Sequence, residues 1–202
     1  MLFSEQSIEQ FLSDLAARQP APGGGAAVGV VGAIAASLAE MVIAYSRGKK
    51  SFLKYDDELK QAATQFNRYR SLLLELSEQD AAAYENLSSL MKLSKDDARR
   101  RENWDASVVA CIRAPQAAMA ACADMLRLLD SLTGKTTRFL KSDMVVSAKL
   151  AAAAAESAKW NVHINLSFLT EEKDRILIEQ ETSQVCAAAL DIARRIEQYC
   201  LQ

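Results

Sequence analysis

Between Tyr55 and Leu90 a stripe of residues recurs at alternating spacings of four and three: Tyr55, Leu59, Ala62, Phe66, Tyr69, Leu73, Leu76, Asp80, Ala83, Leu87 and Leu90. Residues so spaced share one face of an α-helix, whereas a half-buried strand would alternate every second residue. The pattern predicts one long helix from about Tyr55 to Met91. Every position but one suits a packed seam, and the exception is the carboxylate Asp80, with Tyr84 one turn further on. Asp80 therefore stands where a surface charge does not belong.

The same period runs through the rest of the chain, and no segment alternates in period two between turn residues. Ser7 with Gln10 opens a short helix ending before Pro20, and the glycine run after it leads into a second helix to about Ser46. A fourth helix, from about Asp97 to Leu132, carries Trp104, Val108, Cys111, Pro115, Ala118, Cys122, Met125, Leu129 and Leu132 on one stripe. Pro115 removes a backbone N–H and crowds the carbonyl of Cys111, so a kink or local opening is expected there. Ser142-Asp143 reads as the cap of a fifth helix running to about Leu169, and Thr170 with Glu171 and Glu172 as the cap of a sixth. The expected fold is all-α: an antiparallel bundle of five long helices plus a short N-terminal helix. At 202 residues, half of them hydrophobic, the chain can bury a substantial core, and 1–202 is read as a single domain.

Five of the seven glycines fall within 19–36. A flexible linker would continue into Ser, Pro or charge, but here alanine and aliphatic residues follow. Neither nucleotide-loop pattern fits: Val28 stands where a dinucleotide fingerprint needs its third glycine, and Ile43 where a P-loop before Gly48-Lys49 needs its first. Gly25, Gly29, Gly32, Ala36 and Ala39 lie on one face, which lets a neighbouring helix approach closely. Pro22, Gly23, Gly24 and Gly25 form a turn opening a helix, whose free N–H groups and positive dipole end can receive an anion or a carbonyl-rich ligand.

Other classes are disfavoured by what the chain contains. A net charge of −2 gives no polyanion-binding surface, so nucleic acid is not expected as a partner. The segment from Gly23 to Tyr45 is long enough to span a bilayer and carries one charge, Glu40, but it lacks flanking aromatic and basic belts; a buried helix is the better account, and no membrane partner is expected. Cys111, Cys122, Cys186 and Cys200 form no C-x-x-C pair and suit a reducing cytoplasm, and Glu5, Glu9 and Asp14 interrupt any secretory leader. With one histidine, His163, turned off the Asn161 face, no metal site is expected.

The polar residues in apolar surroundings have structural readings beside functional ones. Asp80 is either a hydrogen-bonded structural carboxylate or an acid/base with a pKa shifted by burial. Arg113, the only charge between Ala106 and Ala123, is either a buried partner for such a carboxylate or an anchor for a ligand's carboxylate. For Asn161 and Asn165 the plain reading is that they bridge helices or dimer subunits.

In order along the chain, Pro20-Ala21-Pro22-Gly23-Gly24-Gly25, Met41-Val42, Gly48-Lys49-Lys50, Asp80 with Ala83-Tyr84, Lys92-Leu93, Pro115, Ser142-Asp143 and Asn161-Val162 through Asn165-Leu166 resemble the cyclodeaminase domain of formiminotransferase-cyclodeaminase and the bacterial methenyltetrahydrofolate cyclohydrolases. The likeness covers nearly the whole chain. It departs at Ser94, where the family carries proline, and at 136–141, which lacks the asparagines often found before Ser-Asp.

The resemblance implies a helical homodimer that binds a tetrahydrofolate derivative as substrate, without a metal. It makes Pro22, Gly23, Gly24, Gly25, Asp80, Tyr84, Asp143, Asn161 and Asn165 site candidates. On this reading Asp80 is the acid/base, Tyr84 orients it or the pterin, and Lys49, Lys50 or Arg113 receives the glutamate tail. Asp143 and Asn161 lie roughly 27 Å apart along one helix, so both can serve one reacting carbon only if subunits alternate. The competing class is a non-catalytic helical dimer, a folate-binding relic or an interaction module.

Overall fold

The computed structural model describes residues 2–202, and among them there are helices and turns but no strand. The six α-helices are α1 (Ile8–Ala16), α2 (Gly24–Ala44), α3 (Asp56–Met91), α4 (Ala98–Ser131), α5 (Lys141–Leu166) and α6 (Glu172–Leu201). Short connections make each long helix antiparallel to the next. α2 packs between α3 and α5, α4 packs between the same two on the other side, and α6 lies along α4 and α5. α2 through α5 thus form a square bundle with α3 and α5 on a diagonal.

The Tyr55–Leu90 stripe is the seam of this bundle. Leu59, Phe66 and Leu73 are fully buried in a core shared with Ile43, Met125, Leu126, Leu129, Met144 and Ile196, while the equally buried Leu87 belongs to a second cluster with Val108, Ile112 and Val162. α2 reads as a possible membrane span by composition, but here ten of its residues are buried against α3 and α5. Its charge, Glu40, meets Arg70 of α3 at 3.2 Å.

The glycine face is what brings α2 and α3 together. A Cβ on Gly29 would lie 2.4 Å from the backbone carbonyl of Leu73 and 2.1 Å from Ser77 Oγ, and one on Gly32 3.0 Å from Leu73 Cδ1. The close approach lets Ser77 Oγ lie within hydrogen-bond distance of the carbonyls of both Ala26 (3.1 Å) and Leu73 (3.0 Å), with no solvent near.

Four local expectations differ from the structure. Ser142-Asp143 does not cap α5: the helix starts at Lys141, its cap position is Leu140, and both polar residues lie inside the first turn. The 3₁₀ turn Arg138–Leu140 already points the backbone into the helix, so no side-chain cap is needed, and Thr137 N–H is held by Ser46 Oγ at 2.9 Å. α5 ends at Leu166 rather than Leu169, because the chain tightens into i→i+3 bonds that turn Phe168 and Leu169 onto the apolar cluster around Leu87 and Val162. The cap position of α6 is Glu171, without a side-chain bond, and Thr170 lies outside the helix. α4 also runs unbroken through a buried Pro115.

Candidate active site

α2 begins at the end of the bundle where α3 and α5 finish. Gly23 is the cap residue of α2, and no side chain caps the helix. The first backbone N–H groups of α2 are therefore left for a ligand or water. These groups border a cavity of about 500 Å³ that also takes in Pro20, Ala21, Asp80, Tyr84, Cys111, Asn161 and Asn165, with Ala81, Leu87, Met91, Ile164 and Phe168 as its apolar wall. A mostly apolar wall with a few convergent polar groups is the usual form of a small-molecule site.

The glycine turn and the carboxylate are parts of one arrangement. A Cβ on Gly25 would fall 2.0 Å from Asp80 Oδ2 and 2.2 Å from its Cγ, so the carboxyl lies flat against the bare backbone of α2. A Cβ on Gly24 would come within 3.3 Å of Asn161 Oδ1. Gly25 belongs to the narrow packing face and to the cavity wall at once. Asp80 makes no hydrogen bond among the described residues, and burial pushes its pKa up to about 6. Near neutral pH such a carboxyl is available in both protonation states. Burial, and then the Asp80 charge, push the Cys111 thiol up to about 11, so it faces the cavity as a neutral group. Tyr84 lines the mouth and is 47% exposed.

The structure brings together Gly23, Gly24, Gly25, Asp80, Tyr84, Asn161 and Asn165, with the buried Pro22 immediately before them. It does not bring Lys49, Lys50, Asp143 or Arg113 to this cavity. Lys49 borders a separate basic cavity with Arg138 and Lys141 at the opposite end of the bundle, where Lys50 and Asp143 also lie. α2 alone puts about 30 Å between the two ends. Arg113 is exposed on the outside of α4 and pairs with neither Asp80 nor the cavity, because its stripe position is one off the buried face held by Ile112 and Ala114. His163 is exposed as well, 3.4 Å from Glu179.

Sequence reasoning missed Cys111, Leu87, Met91 and Phe168 as site residues. Leu87 and Cys111 were already placed on apolar stripes and Met91 and Phe168 near the ends of their helices, and nothing in such a pattern distinguishes a residue facing a core from one facing a cavity. Among the described residues no three His, Cys, Asp or Glu side chains converge as a metal's ligands would. The groups facing the cavity suit an organic, ring-bearing ligand.

Residues 7–184 match the family model described as formiminotransferase-cyclodeaminase. The chain belongs to the formiminotransferase-cyclodeaminase family. Among relatives of this family, the methenyltetrahydrofolate cyclohydrolase of Methylorubrum extorquens is 27% identical over 184 residues, covering 89% of this chain and 87% of that protein. The formimidoyltransferase-cyclodeaminase of Gallus gallus is 27% identical over 189 residues, 92% of this chain but 34% of its own length. The chain thus spans about a third of the length of that relative. The crystal structure of formiminotetrahydrofolate cyclodeaminase from Thermotoga maritima superposes with a TM-score of 0.87 at 28% identity, covering 97% of this chain and 96% of that one.

Proposed function

We propose that this family member is a folate one-carbon enzyme acting on the carbon that bridges N5 and N10 of tetrahydrofolate, as a formimidoyltetrahydrofolate cyclodeaminase or a methenyltetrahydrofolate cyclohydrolase. The observation that carries the reading is the Asp80 carboxyl, its pKa pushed up to about 6, lying against Gly25 in the cavity at the open end of α2. In cyclodeamination N10 attacks the formimino carbon at N5, the N10 proton is removed, and the departing nitrogen is protonated and leaves as ammonia. In the hydrolytic reaction water adds to the same carbon, loses a proton, and the carbon–N5 bond breaks as N5 recovers a proton. Both need one group that takes a proton and returns it, and a carboxyl with a pKa near the working pH does this best. Asp80 fills that role, Tyr84 orients it or the pterin, and Gly24, Gly25, Asn161 and Asn165 hold the ring system against Leu87, Ile164 and Phe168.

The tail of the substrate runs toward the α3–α4 corner. From Asp80 to Met91 the cavity follows α3 for about 16 Å, close to the extended length of a pteroyl group. Beyond Phe168 it meets a groove lined by Lys95, Arg100, Arg101, Trp104 and Asp105. Arg100 is fixed by a 2.7 Å bond to the Leu93 carbonyl and by stacking on Trp104, while Lys95 and Arg101 have no ion-pair partner among the described residues. These groups, rather than Arg113, are the basic ones next to the cavity in a single protomer.

The functional unit in this reading is a cytoplasmic homodimer of the 1–202 helical domain. α2 and α5 present a continuous exposed face of Ala27, Val31, Ile34, Ala153, Ser157, Trp160 and Ile164, with Trp160 67% exposed. A second copy laid antiparallel on this face carries its own Lys49, Lys50 and Asp143 toward the first copy's cavity, which reconciles those positions with one site.

The test supplies 5-formimino- and 5,10-methenyl-tetrahydrofolate separately and follows the methenyl absorbance, with folate binding measured by calorimetry. Turnover of one substrate, lost in Asp80→Asn, is expected. No turnover of either and no binding overturns the enzyme reading; unchanged turnover in Asp80→Asn overturns the role of the carboxyl. The rate is also expected to titrate with an apparent pKa near 6.

A further inference from the structure

Proline at position 115 has no N–H, so the Cys111 carbonyl one turn earlier has lost its helical donor. α4 nonetheless continues from Ala98 to Ser131 with Pro115 buried. The missing donor comes from a different helix: Asn165 of α5 donates from Nδ2 to the Cys111 carbonyl at 3.2 Å and to the Asn161 carbonyl at 2.8 Å. A side-chain amide nitrogen carries two hydrogens, so both are used. Both partners are backbone carbonyls, which only accept. Turning the amide over would set Oδ1 against two oxygens, and the orientation is therefore dictated by its surroundings.

Asparagine ordinarily offers a ligand either a donor or an acceptor. Asn165 lines the cavity, yet its only uncommitted polar atom is Oδ1, which has no hydrogen-bond partner among the described residues. We infer that Pro115 is a positioning residue: by withdrawing one N–H from α4 it locks Asn165 as a hydrogen-bond acceptor, so the cavity selects a ligand that presents an N–H donor to α5. Resting on the folate reading above, that donor belongs to the reduced pterin, whose ring N–H and amino groups offer several, with the reacting carbon left toward Asp80 on the diagonal helix α3. A ligand showing only acceptors at that edge finds no donor on Asn165. Cys111 thereby contributes twice, its thiol facing the cavity and its carbonyl holding the amide.

The experiment is a double-mutant cycle of Pro115→Ala and Asn165→Ala. Alanine at 115 restores the N–H and returns the Cys111 carbonyl to its own helix, freeing one Asn165 hydrogen and letting the amide rotate. KM for the reduced folate is expected to rise about fivefold, the worth of one neutral hydrogen bond, with kcat less affected. In the Asn165→Ala background the same proline change should move KM by less than about twofold, the limit for independent sites. Asn165→Ala alone leaves the Cys111 carbonyl unpaired and should melt lower than wild type, whereas Pro115→Ala/Asn165→Ala should regain most of the loss. An unchanged KM in Pro115→Ala, or an equal effect in both backgrounds, overturns the proposal.

A readout without turnover separates this proposal from the folate reading. In side-chain amide hydrogen exchange by NMR, wild type should show two protected Asn165 protons and Pro115→Ala one. Two protected protons with no folate turnover or binding overturns the folate reading but leaves the amide lock standing; two rapidly exchanging protons in wild type overturns the lock.

Discussion

Asp80→Asn is expected to make the protein more stable at neutral pH while removing its activity. The carboxyl is held in an apolar cavity with no hydrogen bond from the described residues, and its pKa stands at about 6 against a usual 3.8. Because burial is the whole cause, the ionised form is the one the folded state disfavours. A carboxyl with a raised folded pKa binds a proton on folding between the two values. Its favourable contribution is fully present below 3.8 and is lost as pH rises to about 6. At ~1.4 kcal/mol per pH unit, the loss above that window is about 3 kcal/mol. The carboxamide has nearly the same shape and no charge, so it escapes this cost.

The assay is urea or thermal unfolding of wild type and Asp80→Asn at pH 8 and pH 5. At pH 8 the variant should be more stable by about 3 kcal/mol, or roughly 6–12 °C in Tm for a chain of this size. At pH 5 about half of that difference should have closed, since the wild-type carboxyl is then mostly protonated in the folded state. A gap that is absent at pH 8, or that does not change between the two pH values, refutes the reasoning, because it would mean that Asp80 is not held in a desolvated site. The prediction also explains why a carboxylate would persist on an apolar seam at all: it costs stability and is retained for chemistry.

Gly25→Ala should cut kcat/KM by about 10²-fold, since the added Cβ would displace the Asp80 carboxyl from its place on α2 and ångström-scale misplacement has that cost; near-wild-type kinetics would refute it. Gly29→Ala, by contrast, meets the Leu73 backbone carbonyl at 2.4 Å, and should destabilise by about 1–3 kcal/mol in denaturant unfolding before any catalytic effect is seen. Lys95→Glu/Arg101→Glu should weaken calorimetric binding of a glutamate-bearing reduced folate by about tenfold or more while leaving tetrahydropterin binding within about twofold. Equal loss for both ligands would point to a structural role, and no loss for either would assign the tail to Lys49 and Lys50 of a second copy. Trp160→Glu should shift the species seen by sedimentation from dimer to monomer, and an unchanged mass would move the dimer interface elsewhere.

Much of this site was visible in the sequence because helical periodicity is a local property. The spacing of Tyr55 through Leu90 needs only the geometry of one helix to mark Asp80 as a carboxylate on a buried face, and the spacing of Gly25, Gly29 and Gly32 marks a face that a neighbour can approach. The same reasoning set Asn161 apart from His163 on α5. It failed at helix ends, where Ser142-Asp143 and Thr170 have good capping side chains but the entering turn and the fold-back of Phe168 and Leu169 decided the boundaries instead. Residue type indicates a capacity to cap; the direction of the incoming chain decides whether that capacity is used.

Which residues meet was decided by tertiary structure alone. The antiparallel path sets the start of α2 beside the ends of α3 and α5, which joins Gly25 to Asp80 and both to Asn165, and separates them from Lys49, Lys50 and Asp143 by the length of the bundle. Pro115 shows the limit most sharply. From the sequence it removes a hydrogen bond and should open α4; in the fold its orphaned carbonyl is met by an amide 54 residues away. A chain encodes its helices through contacts of three or four residues, but the partner of a broken helical bond, and the polarity a cavity shows its ligand, exist only once those helices have packed.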